Sequence, residues 1–180
     1  MIELELGRVQ GRARVWFHNL PDWACPWSGV IERTLPATRI DGQGIRSAAV
    51  ELFIHTGGIC PYGLLAGEFV PQDSNLLLLQ TIVSSEEGTR FDALVGEAID
   101  EVRFGLPLEY AEGVLDGASA ARANCILGSG TLRFGCAVHG KVGSSANHFR
   151  RLARLVVELL RLDTPAVTEK EVACLLESRD

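Results

Sequence analysis

Along residues 48–55, Ala48, Val50, Leu52 and Ile54 alternate with Ala49, Glu51, Phe53 and His55. A two-residue period predicts a strand with one face on a core. Residues 64–70 predict a second strand, and Gly57, Gly58, Pro61 and Gly63 lie between the two. Such residues reverse a chain, so the pair reads as a hairpin whose loop exceeds a two-residue turn and whose tip projects from the sheet. The same period recurs at the start. Ile2, Leu4 and Leu6 alternate with glutamates, and Ala13, Val15 and Phe17 with Arg12, Arg14 and Trp16, on either side of a turn at 7–11. This predicts an N-terminal β-hairpin whose arginines form a solvated strand face in preference to a basic face for RNA. Residues 30–35 form a short strand candidate. Residues 75–83 are nearly all apolar and predict a third core strand buried on both faces. Residues 131–139 predict a further strand, with Leu132, Phe134, Cys136 and Val138 inward and Arg133 and His139 outward.

Elsewhere the period lengthens. Phe91, Leu94, Val95, Ala98 and Val102 share one helical face. Gly105 and Pro107 end that helix, and a short one restarts at Leu108 and stops near Gly117. Residues 146–162 predict a helix burying Phe149, Leu152, Val156 and Leu159, with Arg150, Arg154 and Arg161 on another face and an Arg154–Glu158 pair at i,i+4. Past Pro165, Thr168 with Glu171 predicts a capping box opening a terminal helix.

An apolar fraction of 47% and 22% charged residues place these 180 residues among globular proteins. Apolar runs such as 76–79 are far too short to span a bilayer. Met1-Ile2-Glu3-Leu4-Glu5 lacks the basic start of a signal peptide, so a cytoplasmic location with no membrane contact is expected. The net charge of −6 is uneven. Residues 61–120 hold two basic and eleven acidic groups, whereas 121–180 hold nine basic and six acidic. Only a local basic face in that last third would suit nucleic acid. Five cysteines (25, 60, 125, 136, 174) with no C-x-x-C predict reduced thiols, with Cys136 packed in the core. Cys25 and Cys60 with His18 and His55 lack the paired spacing of zinc ligands, so no metal is expected.

Residues 135–142 nearly spell G-x-x-x-x-G-K-[ST], but Val142 has no hydroxyl for Mg²⁺, and the alternation continues through the segment as strand.

The motif Thr56-Gly57-Gly58, three residues, Tyr62-Gly63 resembles the tip hairpin of domain IV of elongation factor G and of related ribosomal-protection proteins. Two more stretches are similar to that domain, in the same order. Ile82-Val83-Ser84-Ser85, then Phe91, Val95, Ile99 and Glu101, matches a strand end and helix. Thr131-Leu132-Arg133-Phe134 through Gly143-Ser144-Ser145, then Phe149-Arg150 and Leu152-Ala153, matches the next strand, second tip loop and last helix. The resemblance covers about residues 30–162. It implies an α+β fold, a mixed sheet backed by helices on one face, with the β-β-α-β-α core that domain IV shares with a domain of ribosomal protein S5. Residues 1–45 would be an added hairpin extension, 46–162 the core and 163–180 a terminal helix.

By the same resemblance, Thr56, Gly57, Gly58, Tyr62, His139, Gly140, Lys141, Ser144 and Ser145 form a non-catalytic tip. It would contact RNA of the small ribosomal subunit or a protein partner, without cofactor. Here Ile59-Cys60-Pro61 replaces the family's Arg-Gly-Gln, and Gly140 holds the tip-histidine position, with His139 one residue earlier. An enzymatic alternative rests on Gly143-Ser144-Ser145-Ala146, which looks like the phosphate loop of galactokinase- and mevalonate-kinase-type enzymes. A helix N-terminus with small residues binds phosphate. An open anion pocket at that loop would favour the enzyme, and a packed loop would favour the tip.

Overall fold

A computed structural model describes residues 1–40, 44–55, 58, 60–85, 88–92, 101–124, 127–162 and 167–178. Among these, eight strands and three helices form an α+β fold with one mixed sheet. They are β1 (Ile2–Leu6), β2 (Gly11–Phe17), β3 (Gly29–Pro36), β4 (Arg46–Ile54), β5 (Tyr62–Pro71), β6 (Leu76–Val83), β7 (Val102–Phe104), α1 (Leu108–Asn124), β8 (Gly130–Gly140), α2 (Ala146–Arg161) and α3 (Glu169–Glu177). The strand order is β1-β2-β4-β5-β8-β6-β3, with β7 pairing the far end of β8. Only β6 and β8 run parallel, joined by α1. A parallel pair needs such a crossover, because a tight turn cannot return the chain in the same direction.

Both predicted hairpins form, β1–β2 and β4–β5, in antiparallel register. The first 45 residues do not stay together: β2 extends the sheet beside β4, while β3 closes the opposite edge beside β6. The helices cover one face. There Phe149, Leu152, Val156 and Leu159 of α2 are buried against Val50, Leu52, Leu65 and Phe69 in one core. The α3 capping box is present, with Thr168 and Glu171 bonding reciprocally.

The second face carries a smaller cluster, in which Trp16, Phe53, Tyr62, Leu64, Phe104 and Val138 meet Leu20, Trp23, Cys25 and Phe91. Trp23 meets Trp16 edge-on at 5.4 Å. The segment before β3 is tied down by a disulfide between Cys25 and Cys136, whose Cα atoms are 5.6 Å apart. This corrects the expectation of reduced thiols. A bridge is set by which residues face each other in space, and these two lie 111 positions apart.

Four further expectations are revised. Between Ala66 and Gly67 the register against β8 slips, so that Ala66 faces Cys136 and Gly67 faces Phe134. Gly135 is the extra residue of a bulge, which reverses the sides of everything beyond it. Leu132 and Phe134 therefore pack under the helices, while Cys136 and Val138 join the opposite cluster. Strand β6 is buried on both faces only at its end, Thr81 to Val83; before that, Leu76 is half exposed and Leu78 and Gln80 are partly so. The helix expected over 91–102 ends on residues that instead form β7, and Phe91 packs edge-on against Phe104 at 5.2 Å. Residues 93–100 lie outside the described residues.

Finally, Gly117 does not stop α1, which continues to Asn124. A Cβ on Gly117 would meet the Arg150 carbonyl oxygen at 2.0 Å, and one on Gly113 the Ala146 carbonyl oxygen at 2.3 Å. The two glycines are the groove that lets α1 and α2 touch backbone to backbone. Helix propensity alone makes Gly→Ala stabilising by about 1 kcal/mol, whereas the clash predicts the opposite sign. Gly117→Ala is expected to lower unfolding free energy by about 1–3 kcal/mol in urea titrations. Gly135→Ala, with open space around its Cβ, stays within about 0.5 kcal/mol of wild type.

Candidate functional site

One end of the sheet gathers three turns. The β4–β5 loop and the β8–α2 loop are joined through Tyr62, whose N–H donates to the Gly143 carbonyl at 3.0 Å. The Ser144 hydroxyl donates to the Tyr62 carbonyl at 2.7 Å and accepts from the Gly140 N–H at 2.9 Å. The Tyr110 hydroxyl donates to the Ser144 carbonyl at 3.3 Å. The β1–β2 turn joins the same end, because the His55 N–H donates to the Gln10 carbonyl at 2.8 Å. Of the expected tip residues, Gly58 has open space around it. Thr56 and Gly57 lie outside the described residues.

Tyr62 packs beneath the hairpin. It is fully buried, and its hydroxyl donates to Glu51 Oε1 at 2.9 Å. Glu51, also fully buried, accepts from Arg14 Nε at 2.5 Å through its other oxygen. Arg14 further donates to the Asp92 carbonyl and lies over the rings of Trp16 and Phe91. Burial disfavours the Arg14 charge, but its bond to Glu51 and that charge outweigh burial and hold the guanidinium pKa above its usual value. This network corrects the reading of the β2 arginines as a solvated face. Arg12 is at the rim, 3.8 Å from Glu5, while Arg14 is an interior ion pair. The available signal was Glu51 itself, an acid among apolar neighbours on a central strand.

The cations of the tip are engaged. Lys141 Nζ lies 3.2 Å from Glu101, and Arg103 Nε donates to the same carboxylate at 2.8 Å. Arg103 and then Lys141 hold the Glu101 pKa below its ordinary value. The ring Nδ1 of His139 is 2.8 Å from the Gly105 carbonyl. Beside Lys141, Val142 is 72% exposed at the apex. Two of the three arginines in the α2 stripe are likewise partnered: Arg150 with Asp116, which also binds Arg33, and Arg154 with Glu158.

The 143–146 loop is packed. Ser144 is spent on Tyr62 and Gly140, and Ser145 caps α2 by accepting from the His148 N–H at 3.2 Å. Residues 135–140 belong to β8, so the near-match to a phosphate loop is strand. Cys60 Sγ lies 3.5 Å from His55 Nδ1. Among the described residues, no group of three or more His, Cys, Asp or Glu side chains is placed to hold a metal. No described helix is long and apolar enough to cross a membrane.

His148 adds a pH dependence. Burial, the largest influence, pushes its imidazole pKa down to about 4; the Leu52 carbonyl opposes this and Arg151 reinforces it. In the unfolded chain the ring takes a proton below about 6.5. Between pH 6.5 and 4 the unfolded state therefore binds more protons, and stability falls with pH by about 1.4 kcal/mol per unit, roughly 3 kcal/mol in all. Above pH 6.5 the contribution is complete. Urea unfolding followed from pH 7 to 4 is expected to show this loss in wild type and a shallower slope in His148→Gln.

Compared with known proteins, the chain matches no protein-family model and no curated sequence.

Proposed function

We propose that this chain forms a non-catalytic binding module, a relative of domain IV of elongation factor G, that contacts RNA of the small ribosomal subunit through its tip. The observation that carries the reading is the lock between the two loops at Tyr62, Gly140, Gly143 and Ser144. It makes the β4–β5 and β8–α2 loops one presented surface. The element order is compatible with it: β5, β6, α1, β8 and α2 run β-β-α-β-α, preceded by β4 and interrupted by β7, with α1 standing where the resemblance matched the 91–101 stretch.

The tip offers backbone at Gly58, the exposed apolar Val142, and the Lys141–Glu101–Arg103 cluster. A contact made with so few cations on an acidic chain is local and weak. Neutralising two or three phosphates gives a log K against log salt slope of roughly −2. The kinase-like alternative has less support, because the hydroxyls of Ser144 and Ser145 are already committed within the fold.

Co-sedimentation with small ribosomal subunits tests the proposal. Wild type is expected to associate at low salt and dissociate at moderate salt, with Lys141→Glu weakening association several-fold. Absence of association at low salt, or indifference to Lys141→Glu, would remove the ribosomal contact and favour a protein partner.

A further inference from the structure

Between β2 and β3, residues 18–28 cross the second face of the sheet as a strap without helix or strand. Its ends are fastened. The His18 N–H donates to the Ser47 carbonyl at 2.8 Å and the Ser47 hydroxyl to the His18 carbonyl. At the other end the Ser28 N–H donates to the Val83 carbonyl at 2.9 Å. In between, among the described residues, the N–H groups of Asn19, Leu20, Trp23 and Cys25 each donate to the carbonyl two positions earlier. None of these bonds reaches the strands beneath.

What lies beneath is apolar. Trp16, Ala49, Phe53, Ala66 and Val138 are buried there, and Leu20, Trp23 and Cys25 pack over them. A segment with no ladder bonds to the sheet is kept in place by its side chains and opens at less cost than a strand. Trp23 rests edge-on against Trp16 at 5.4 Å, and the Cys25–Cys136 bridge is the covalent hold.

The surroundings of the bridge suit control rather than bulk stability. The bulge at Gly135 turns Cys136 away from the helices and toward the strap, and bulges commonly re-aim a side chain in this way. Neither cysteine belongs to the main core under the helices, so that core is held without them. The bridge is also reachable. Both cysteines are only half-buried, and an open recess of about 310 Å³ between strap and sheet, walled by Pro21, Trp23, Arg133 and Gly135, extends to Cys136. Thiol–disulfide exchange needs such access, because a thiolate must approach a sulfur of the bridge.

We propose that Cys25–Cys136 is a redox-operated clasp. In the oxidised chain it holds the strap over the second face, and a thiol reductant releases it. A reductant thiolate attacks one sulfur to form a mixed disulfide, and the other cysteine leaves as a thiolate. A second reductant thiol then displaces the first cysteine. The bridge takes up two electrons, the two reductant thiols become a disulfide, and their two protons end on Cys25 and Cys136. The strap lifts between His18 and Ser28 and the Trp16 face meets water, while sheet and helices stay folded. This device does not depend on the ribosomal reading.

The test is limited chymotrypsin digestion of the full chain, purified without reductant, before and after treatment with dithiothreitol. Peptide mapping of the untreated chain should recover Cys25 and Cys136 in one cross-linked peptide. Cleavage after Trp23 should rise by about tenfold or more on reduction and fall back on reoxidation with glutathione disulfide. The amides of Leu64 and Leu132 should keep their protection from exchange in both states, which separates release of the strap from unfolding. Cys25→Ser should be cleaved at the reduced rate with or without dithiothreitol. Absence of the cross-linked peptide, equal cleavage of the two states, slow cleavage of Cys25→Ser, or loss of protection at Leu64 and Leu132 on reduction would overturn the proposal.

Discussion

Tyr62 is the residue on which the tip end depends. Its N–H and carbonyl hold the β8–α2 loop through Gly143 and Ser144, while its hydroxyl reaches the buried Glu51 across the hairpin. Glu51 in turn requires Arg14 of β2. Removing one partner from a buried ion pair costs about 3–5 kcal/mol, because the other charge is left uncompensated. The central hairpin, the second loop and the N-terminal hairpin are thus coupled through one side chain and one carboxylate. The added hairpin is part of the sheet's electrostatics rather than an appendage.

The same coupling decides where charge is available. On α2, Arg150 and Arg154 are paired to Asp116 and Glu158, which lowers the positive charge that helix presents. At the tip, Lys141 and Arg103 share Glu101.

Much of this architecture was legible in the chain. Period-two alternation located both hairpins, the apolar spacing of α2 gave its buried face, and Thr168 with Glu171 marked the start of α3. Those signals are local, and what escaped is long-range or depends on one residue. The bulge at Gly135 adds one position, and alternation read straight through it put Cys136 and Val138 on the wrong face. Gly117 looks like a helix stop because propensity is local, yet its missing Cβ serves contact with α2. The Cys25–Cys136 bridge and the Arg14–Glu51–Tyr62 network each join segments far apart in sequence. No spacing rule within a single element encodes them. The motif put Tyr62 in the tip hairpin, where packing beneath the hairpin was favoured over stacking on a partner, and it is fully buried there.

The central claim is that the two loops form one locked surface. Residue-resolved amide hydrogen exchange of the free protein tests it most directly, at the N–H groups of Tyr62 and Gly140. The Tyr62 N–H donates to Gly143 across the junction, and the Gly140 N–H donates to the Ser144 hydroxyl that reaches back to Tyr62. The account predicts protection comparable to that of Leu64 and Val138 in the sheet interior, since opening the junction would also disturb the Glu51 network. Exchange at Tyr62 and Gly140 as fast as at Gly58 would show loops that move independently, and would contradict it.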